Sequence, residues 1–107
     1  MCPDRGDLVW INFNPQASHE QAGRRSAIVL SPKSFNEITG FVSVCPITHT
    51  ISGWGFEVKL PEGIAFDGVI LTDQIKNLDW QARKLIIKGQ APDRVVEECL
   101  NKIHTFL

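Results

Sequence analysis

Short apolar runs, separated by polar and turn-forming segments, extend along most of the chain. They are rich in β-branched and aromatic residues, and the run at 41–46 alternates apolar and polar positions, which is typical of strands. The run at 26–31 is almost continuously apolar, so we expect this strand to be buried on both faces. The pattern predicts strands at 7–13, 26–31, 41–46, 54–60, 67–72 and 84–88, short helices or turns at 33–37 and 77–82, and polar loops at 16–24 and 47–53.

The last part of the chain has a helical period instead. Between 92 and 107, apolar side chains recur at helical spacing at Val95, Val96, Cys99, Leu100, Ile103 and Leu107. Pro92 suits the first position of a helix, where its missing N–H costs nothing. Five or six short strands followed by one amphipathic helix predict a mainly β fold. We expect a small SH3-like β-barrel in a single domain, 1–107, with the helix across its mouth or side.

Composition and charge narrow the function classes. The chain has 107 residues, of which 43% are apolar and 21% charged, as in one soluble globular domain. It has no apolar stretch long enough for a membrane span and no N-terminal secretory pattern, so we expect a cytoplasmic protein. The formal net charge is −1, which excludes a broad basic face. A nucleic-acid site would therefore be a local pocket with a few placed cations.

The cysteines and histidines do not form a recognisable metal or redox motif. Cys2, Cys45 and Cys99 are widely separated, and Cys45 and Cys99 lie in apolar surroundings typical of core thiols. The histidines, at positions 19, 49 and 104, are too scattered to predict a metal site, and the one at 104 lies on the tail helix. We therefore expect neither a metal nor a cofactor.

Three segments are dense in groups that can carry chemistry. The first loop and the start of the second strand contain His19, Glu20, Gln21, Arg24 and Arg25. Thr48 and His49 follow the third strand, and Asp73 and Gln74 end a later one. Each segment also has a structural interpretation: a solvated loop in which Glu20 pairs with an arginine, a threonine bonded to local backbone, and an aspartate that closes a turn.

Short blocks of sequence, taken together, point to one family. The blocks are Gly6–Trp10, Phe13–Pro15, Glu20–Arg25, Ile28–Pro32, Cys45–Thr48 and Asp73–Lys76. In order and spacing they resemble the MazF/PemK family of toxins from type II toxin–antitoxin systems. The resemblance implies a homodimeric endoribonuclease on a CcdB/PemK-type barrel, which cuts single-stranded mRNA at short sequences without a metal. It also implies 2′,3′-cyclic phosphate and 5′-hydroxyl products, and an acidic antitoxin with a largely disordered tail.

The resemblance also assigns roles to residues of this chain. It places catalytic roles on Arg25 and Thr48, with Glu20 as the loop glutamate often linked to activity. A guanidinium and a hydroxyl suit this chemistry, because they can stabilise the charge that grows on a phosphate under attack by the RNA's own 2′-hydroxyl. Base recognition by stacking and hydrogen bonds is expected in the loops. The candidate RNA-binding residues are His19, Gln21, Arg24, His49, Trp54, Asp73, Gln74 and Lys76.

Two departures and two alternatives remain open. Another branch of the family uses a loop histidine with an arginine and an aspartate; this chain has His19 and Asp73 but Leu71 at the arginine position, which favours Arg25 and Thr48. Ser26 stands where the family usually has proline. The alternatives are a non-catalytic, gyrase-poisoning (CcdB-like) toxin or protein-binding module on the same barrel, and a nuclease that uses two histidines, His19 and His49, as base and acid.

Overall fold

The computed structural model describes residues 1–13 and 23–107. Most of the predicted first loop, with His19, Glu20 and Gln21, lies outside these residues. The strands are β1 Asp7–Asn12, β2 Arg24–Val29, β3 Phe41–Thr48, β4 Glu57–Lys59, β5 Val69–Leu71, β6 Lys76–Asp79 and β7 Ile86–Gln90. The helices are α1 Lys33–Thr39, a short 3-10 helix Thr72–Gln74 and α2 Asp93–Ile103.

The strands form one antiparallel, mainly β architecture with a C-terminal helix, as predicted. Their order is β4-β5-β3-β2-β1-β7, and β6 pairs with β3 beside β5. Within the described residues β4 and β7 end the path without pairing to each other, so the sheet does not close into a complete barrel. The long strand β3 therefore lies between β2 and the β4–β5 pair. Residues that follow the end of β3 at Thr48 lie between these two parts of the sheet.

The prediction for 77–82 is wrong in part, because residues 76–79 form strand β6 rather than a helix. β6 pairs with β3, with Leu78 opposite Val42 and Asp79 opposite Phe41. Leu78 is only 7% exposed and packs in the core, so tertiary burial of this side chain decides the local structure. The predicted strand at 54–60 shortens to β4, because residues 52–55 are held in a loop described below.

Both faces of the central strands are buried, as the apolar run in β2 predicts. On one face Ile28, Leu30 and Cys45 pack with α2, which contributes Val95 and Cys99 among others. On the opposite face a second cluster packs with Trp80, Leu85 and Ile87; its buried members are Val9, Ile11, Ala27, Val29, Val42, Val44 and Leu78. We call these the helix face and the second face. Because alternate residues of one strand point to opposite faces, this division fixes the direction of every polar side chain on β2 and β3.

Candidate active site

Arg25 and Thr48 lie at neighbouring ends of β2 and β3 and share one face of the sheet. The backbone pairs are Val29 with Val44, Ile28 with Cys45, and Ala27 with Pro46. The pairing ends at Ala27 and Pro46, two residues before Arg25 on β2 and two residues before Thr48 on β3. Both lie an even number of residues from members of the second cluster, so both point to the second face.

Arg25 is exposed and rests on an aromatic ring. Its guanidinium carbon lies 5.6 Å from the centre of the Phe13 ring, which itself packs against the second cluster. Ile11, fully buried, lies opposite Arg25 on β1. The ring thus limits the positions of a long side chain without neutralising its charge, leaving a cation at the protein surface.

Thr48 is held by its backbone neighbours. Its hydroxyl accepts a hydrogen bond from the N–H of Thr50 at 3.2 Å, and Thr48 pairs with Val69 on β5. Gly68, with φ of +113°, passes so close that an added Cβ would lie 2.1 Å from the Thr48 carbonyl oxygen. A half-buried hydroxyl in this position keeps its own proton available as a donor.

The hydroxyl of Ser26 makes a hydrogen bond to β3 that a proline at this position could not make. Its hydroxyl donates to the Ile47 carbonyl at 3.4 Å, on the strand that carries Thr48. The bond lies between the last backbone pair of β2 and β3 and the residues of the site. Replacing proline by serine therefore still leaves a link between the two strands next to Arg25.

A carboxylate organises the loop that follows Thr48. Glu57 accepts hydrogen bonds from the Ser52 hydroxyl at 2.7 Å and from the backbone N–H groups of Ser52 and Gly53. The Ser52 hydroxyl, helped by these N–H groups and opposed by partial desolvation, lowers the pKa of Glu57. From the other side, the Lys102 ammonium donates to the Gly55 carbonyl at 2.7 Å. The loop thus has a defined shape beside the candidate site.

The loop presents an exposed indole beside a second polar group. Trp54 is 55% exposed, and its Nε1–H donates to Asp73 Oδ2 at 3.3 Å. Its ring also packs on Phe56, which contacts Phe106 edge to face. Asp73 and Gln74 are both exposed on the 3-10 helix. An aromatic surface beside hydrogen-bonding side chains is what recognition of unpaired bases requires.

The remaining predicted residues are spread more widely. Lys76 is exposed and lies opposite Val44, so it points to the second face with Arg25 and Thr48, but farther along β3. His49 is exposed directly after Thr48. Arg24 points to the helix face, where its guanidinium lies 5.2 Å from the centre of the Trp10 ring. The structure therefore does not bring Arg24 together with Arg25.

The sequence analysis missed three residues that shape this site: Phe13, Glu57 and Gly68. Phe13 was visible as part of a family block, but nothing in one sequence shows which cation it supports. A lone glutamate in an alternating strand and a glycine before a strand are common features. Their roles depend on contacts between segments far apart in sequence.

Three further features of the described residues concern a metal site, a membrane-spanning helix and the core cysteines. Within 1–13 and 23–107, no group of three His, Cys, Asp or Glu residues is placed to hold a metal ion. None of the helices in that part is long and apolar enough to cross a membrane. Cys45 and Cys99 are fully buried, as predicted, and burial raises the pKa of both thiols.

The fold is that of a small, mainly antiparallel β protein with a C-terminal helix, and comparisons with known proteins show which family it belongs to. The family model of PemK-like, MazF-like toxins of type II toxin–antitoxin systems matches residues 4–107. The chain therefore belongs to this family. It is 41% identical to the endoribonuclease toxin MazF of Escherichia coli (strain K12) over 105 residues, which are 98% of this chain and 94% of that protein.

Solved structures of members of this family have the same fold as the chain. The crystal structure of MazF from Deinococcus radiodurans has a TM-score of 0.88 and 45% identity, covering 98% of this chain and 96% of that chain. A MazE–MazF structure from the same organism has a TM-score of 0.89 and 42% identity, covering 98% and 95%. An endoribonuclease in complex with its cognate antitoxin, from a mycobacterial species, has a TM-score of 0.80 but only 17% identity, so it supports the fold alone.

Proposed function

We propose that this chain is the toxin of a type II toxin–antitoxin pair, acting as an endoribonuclease on single-stranded mRNA. Relatives that share about two fifths of its sequence are named endoribonuclease toxins. The observation that supports the proposal is the β2–β3 register, whose backbone pairs end at Ala27 and Pro46, two residues before Arg25 and Thr48, with both of these residues on the second face. We infer that the Arg25 guanidinium and the Thr48 hydroxyl act on the same phosphate.

The reaction that suits these groups is attack by the RNA's own 2′-oxygen. The 2′-oxygen bonds to the adjacent phosphorus, and the bond from phosphorus to the 5′-oxygen of the next nucleotide breaks. The products are a 2′,3′-cyclic phosphate and a 5′-hydroxyl. Arg25 stabilises the growing charge on the non-bridging oxygens, and the Thr48 hydroxyl donates a hydrogen bond to the same group.

Proton transfer needs a group other than Arg25. A guanidinium is a permanent cation with no acceptor for a proton, so it cannot act as the base. One proton must leave the 2′-hydroxyl, and one must reach the departing 5′-oxygen. His19 and Glu20 are the candidates that the family resemblance supplies, as helpers to Arg25 and Thr48.

Selectivity for short RNA sequences belongs to the loop that follows Thr48. The exposed Trp54, whose indole bonds to Asp73, provides a stacking surface, and the exposed Gln74 and Lys76 provide hydrogen-bond donors. Stacking on an aromatic side chain contributes about 1–3 kcal/mol for each base. We assign base readout to these groups and, by the family resemblance, to Gln21 and His49.

The proposal extends to partners. Solved structures of similar toxins include MazE–MazF complexes, so we propose a cognate antitoxin with an acidic segment for the cationic site. Homodimerisation and a cytoplasmic location complete the proposal by family resemblance.

The test is cleavage of RNA by the purified full-length chain in excess EDTA, followed by analysis of fragment ends. We expect cleavage at a short recurring sequence, with cyclic phosphate and 5′-hydroxyl ends. Intact RNA under these conditions would contradict the proposal. Toxicity with intact RNA and trapped gyrase–DNA complexes would support the gyrase-poisoning alternative instead.

A further inference from the structure

The end of helix α2 packs against the loop that carries Trp54. Residues 49–56, between β3 and β4, form no helix or strand. Asp73 fixes one edge of the Trp54 indole by accepting its Nε1–H at 3.3 Å, and the Glu57 N–H donates to the Trp54 carbonyl at 2.9 Å. These bonds leave the tilt of the exposed ring to the side chains that pack on it.

Three aromatic rings connect the residues that follow α2 to the exposed indole. The Phe106 ring meets the Phe56 ring edge to face, with centres 5.7 Å apart, and the centre of the Phe56 ring lies 5.6 Å from that of Trp54. Aromatic pairs attract each other in such geometries beyond the effect of buried area alone. Phe106 is 44% exposed and belongs to neither buried cluster of the described residues. Its contact with Phe56 therefore stabilises the loop rather than the core.

Lys102 makes a second connection between the helix and the loop. Its ammonium donates to the carbonyl of Gly55, the residue that follows Trp54, at 2.7 Å. The Lys102 carbonyl accepts a hydrogen bond from the Thr105 hydroxyl at 2.6 Å, and the adjoining Ile103 is buried in the core. The loop is thus fixed to the core through the end of α2.

We propose that Phe106 and Lys102 are positioning residues for RNA recognition, which hold the Trp54 ring where it stacks on one unpaired base. The inference rests on the proposed function and adds a determinant of sequence selection that lies outside the loops. A base stacks on the face of an aromatic ring, and a ring that is already ordered loses less entropy when it does so. The two residues act through Trp54 and not on the reacting phosphate.

The test uses RNA oligonucleotides that contain the cleavage sequence, each with one base of that sequence removed to leave an abasic nucleotide. We expect wild-type protein to lose about fivefold or more in kcat/KM when the base that stacks on Trp54 is missing. Trp54→Ala identifies this base, because cleavage by this variant should not depend on it. In Phe106→Ala and Lys102→Met the loss at this base should shrink, while the losses at other bases stay as in wild type. A general loss of folded protein would instead lower kcat/KM for every oligonucleotide by the same factor.

A matched control and a measurement without RNA accompany this comparison. Leu107→Ala is the control, because Leu107 is 78% exposed beside Phe106 and its replacement should leave the loss at each base unchanged. The measurement is fluorine NMR of protein labelled with 5-fluorotryptophan. The Trp54 signal should shift in Phe106→Ala, whereas the signals of Trp10 and Trp80 should not, and no signal should shift in Leu107→Ala.

The outcomes separate this inference from the proposed function. Cleavage by wild type, with losses at each base in Phe106→Ala and Lys102→Met that equal those of wild type, would overturn the inference and leave the nuclease assignment intact. A Trp54 signal that stays in place in Phe106→Ala would overturn it in the same way. So would a Trp54→Ala variant that depends on every base as wild type does. Absence of cleavage by the wild-type protein would overturn both.

Discussion

Gly68 passes against the backbone of Thr48 so closely that the two positions constrain each other. An added Cβ on Gly68 would lie 2.1 Å from the Thr48 carbonyl oxygen and 3.2 Å from the Cα of His49. Atoms of a main chain already paired with β5 cannot move away cheaply. A residue without chemistry of its own thus sets where the Thr48 hydroxyl is presented.

Gly68→Ala should therefore lower both stability and cleavage. Gly63→Ala is the matched control, because Gly63 also has positive φ, +84°, but nothing lies within 4 Å of its added Cβ. The control should cost about 1–2 kcal/mol for left-handed backbone alone. Gly68→Ala should lose a further 1–3 kcal/mol or so from overpacking, measured by urea unfolding. Equal losses in the two variants would mean that the contact at Thr48 does not constrain the fold.

Glu57 should determine how narrowly the RNA sequence is selected. Glu57→Ala removes the acceptor for Ser52 and Gly53, so the loop that carries Trp54 loses its fixed shape. We expect a broader cleavage motif when the 5′ ends of fragments from total RNA are sequenced. Glu62→Ala, at an exposed turn, is the control. The same narrow motif in Glu57→Ala and wild type would contradict this role.

The hydrogen bonds that Glu57 accepts also predict that the shape of the Trp54 loop depends on pH in the acid range. The folded-state pKa of Glu57 is lowered from its ordinary 4.5, chiefly by the Ser52 hydroxyl. A lowered pKa means that the contact contributes fully above pH 4.5 and is lost as pH falls through the lowered value. The fluorescence of Trp54, followed in a variant with Trp10 and Trp80 replaced by Phe, should change over that acid range. The change should vanish in the same background with Glu57→Gln; a transition that persists there would assign it to another group.

The cysteines should differ sharply in reactivity. Burial raises the thiol pKa of all three cysteines, that of Cys99 to about 12, but Cys2 is only half-buried whereas Cys45 and Cys99 are fully buried and out of reach of a reagent. Since the thiolate is the reactive form, a disulfide reagent at about pH 8 should modify one thiol per native chain quickly. All three should react once the chain is unfolded in guanidinium. Fast modification of more than one thiol in the native protein would show that the core opens locally.

The pattern of apolar and polar positions was sufficient to predict the strands and the helix whose periodicity is strong. The strand at 7–13 and the amphipathic tail helix were predicted to within a few residues, and the apolar run in β2 correctly indicated burial on two faces. β6 was missed because its four residues include one buried apolar side chain, Leu78, whose place depends on Val42 of a distant strand. Short segments carry too little periodicity to outweigh such a contact.

In the candidate site, too, the residues could be proposed from local sequence, but their arrangement depends on contacts between distant segments. Arg25 and Thr48 were proposed from sequence blocks, but the face of the sheet that they share depends on the register of β2 and β3, and a one-residue slip of either strand would turn its side chain to the other face. The direction of Arg24 away from Arg25 follows from the same alternation, once the buried faces are known. The support from Phe13, Glu57 and Gly68 comes from contacts between segments, which no single segment encodes.

The most direct test of the central claim, that Arg25 and Thr48 act on one phosphate, is a double-mutant cycle on kcat/KM for RNA cleavage. The proteins are wild type, Arg25→Ala, Thr48→Ala and the double variant, each verified as folded by circular dichroism, with Thr48→Ser to preserve the hydroxyl. Arg25→Ala should lose about 100- to 1,000-fold. The double variant should be little worse than Arg25→Ala, because groups that act as a unit are not additive, and Thr48→Ser should retain most activity. A double variant whose loss in kcat/KM equals the product of the two single losses would contradict the account. So would wild-type activity in Arg25→Ala.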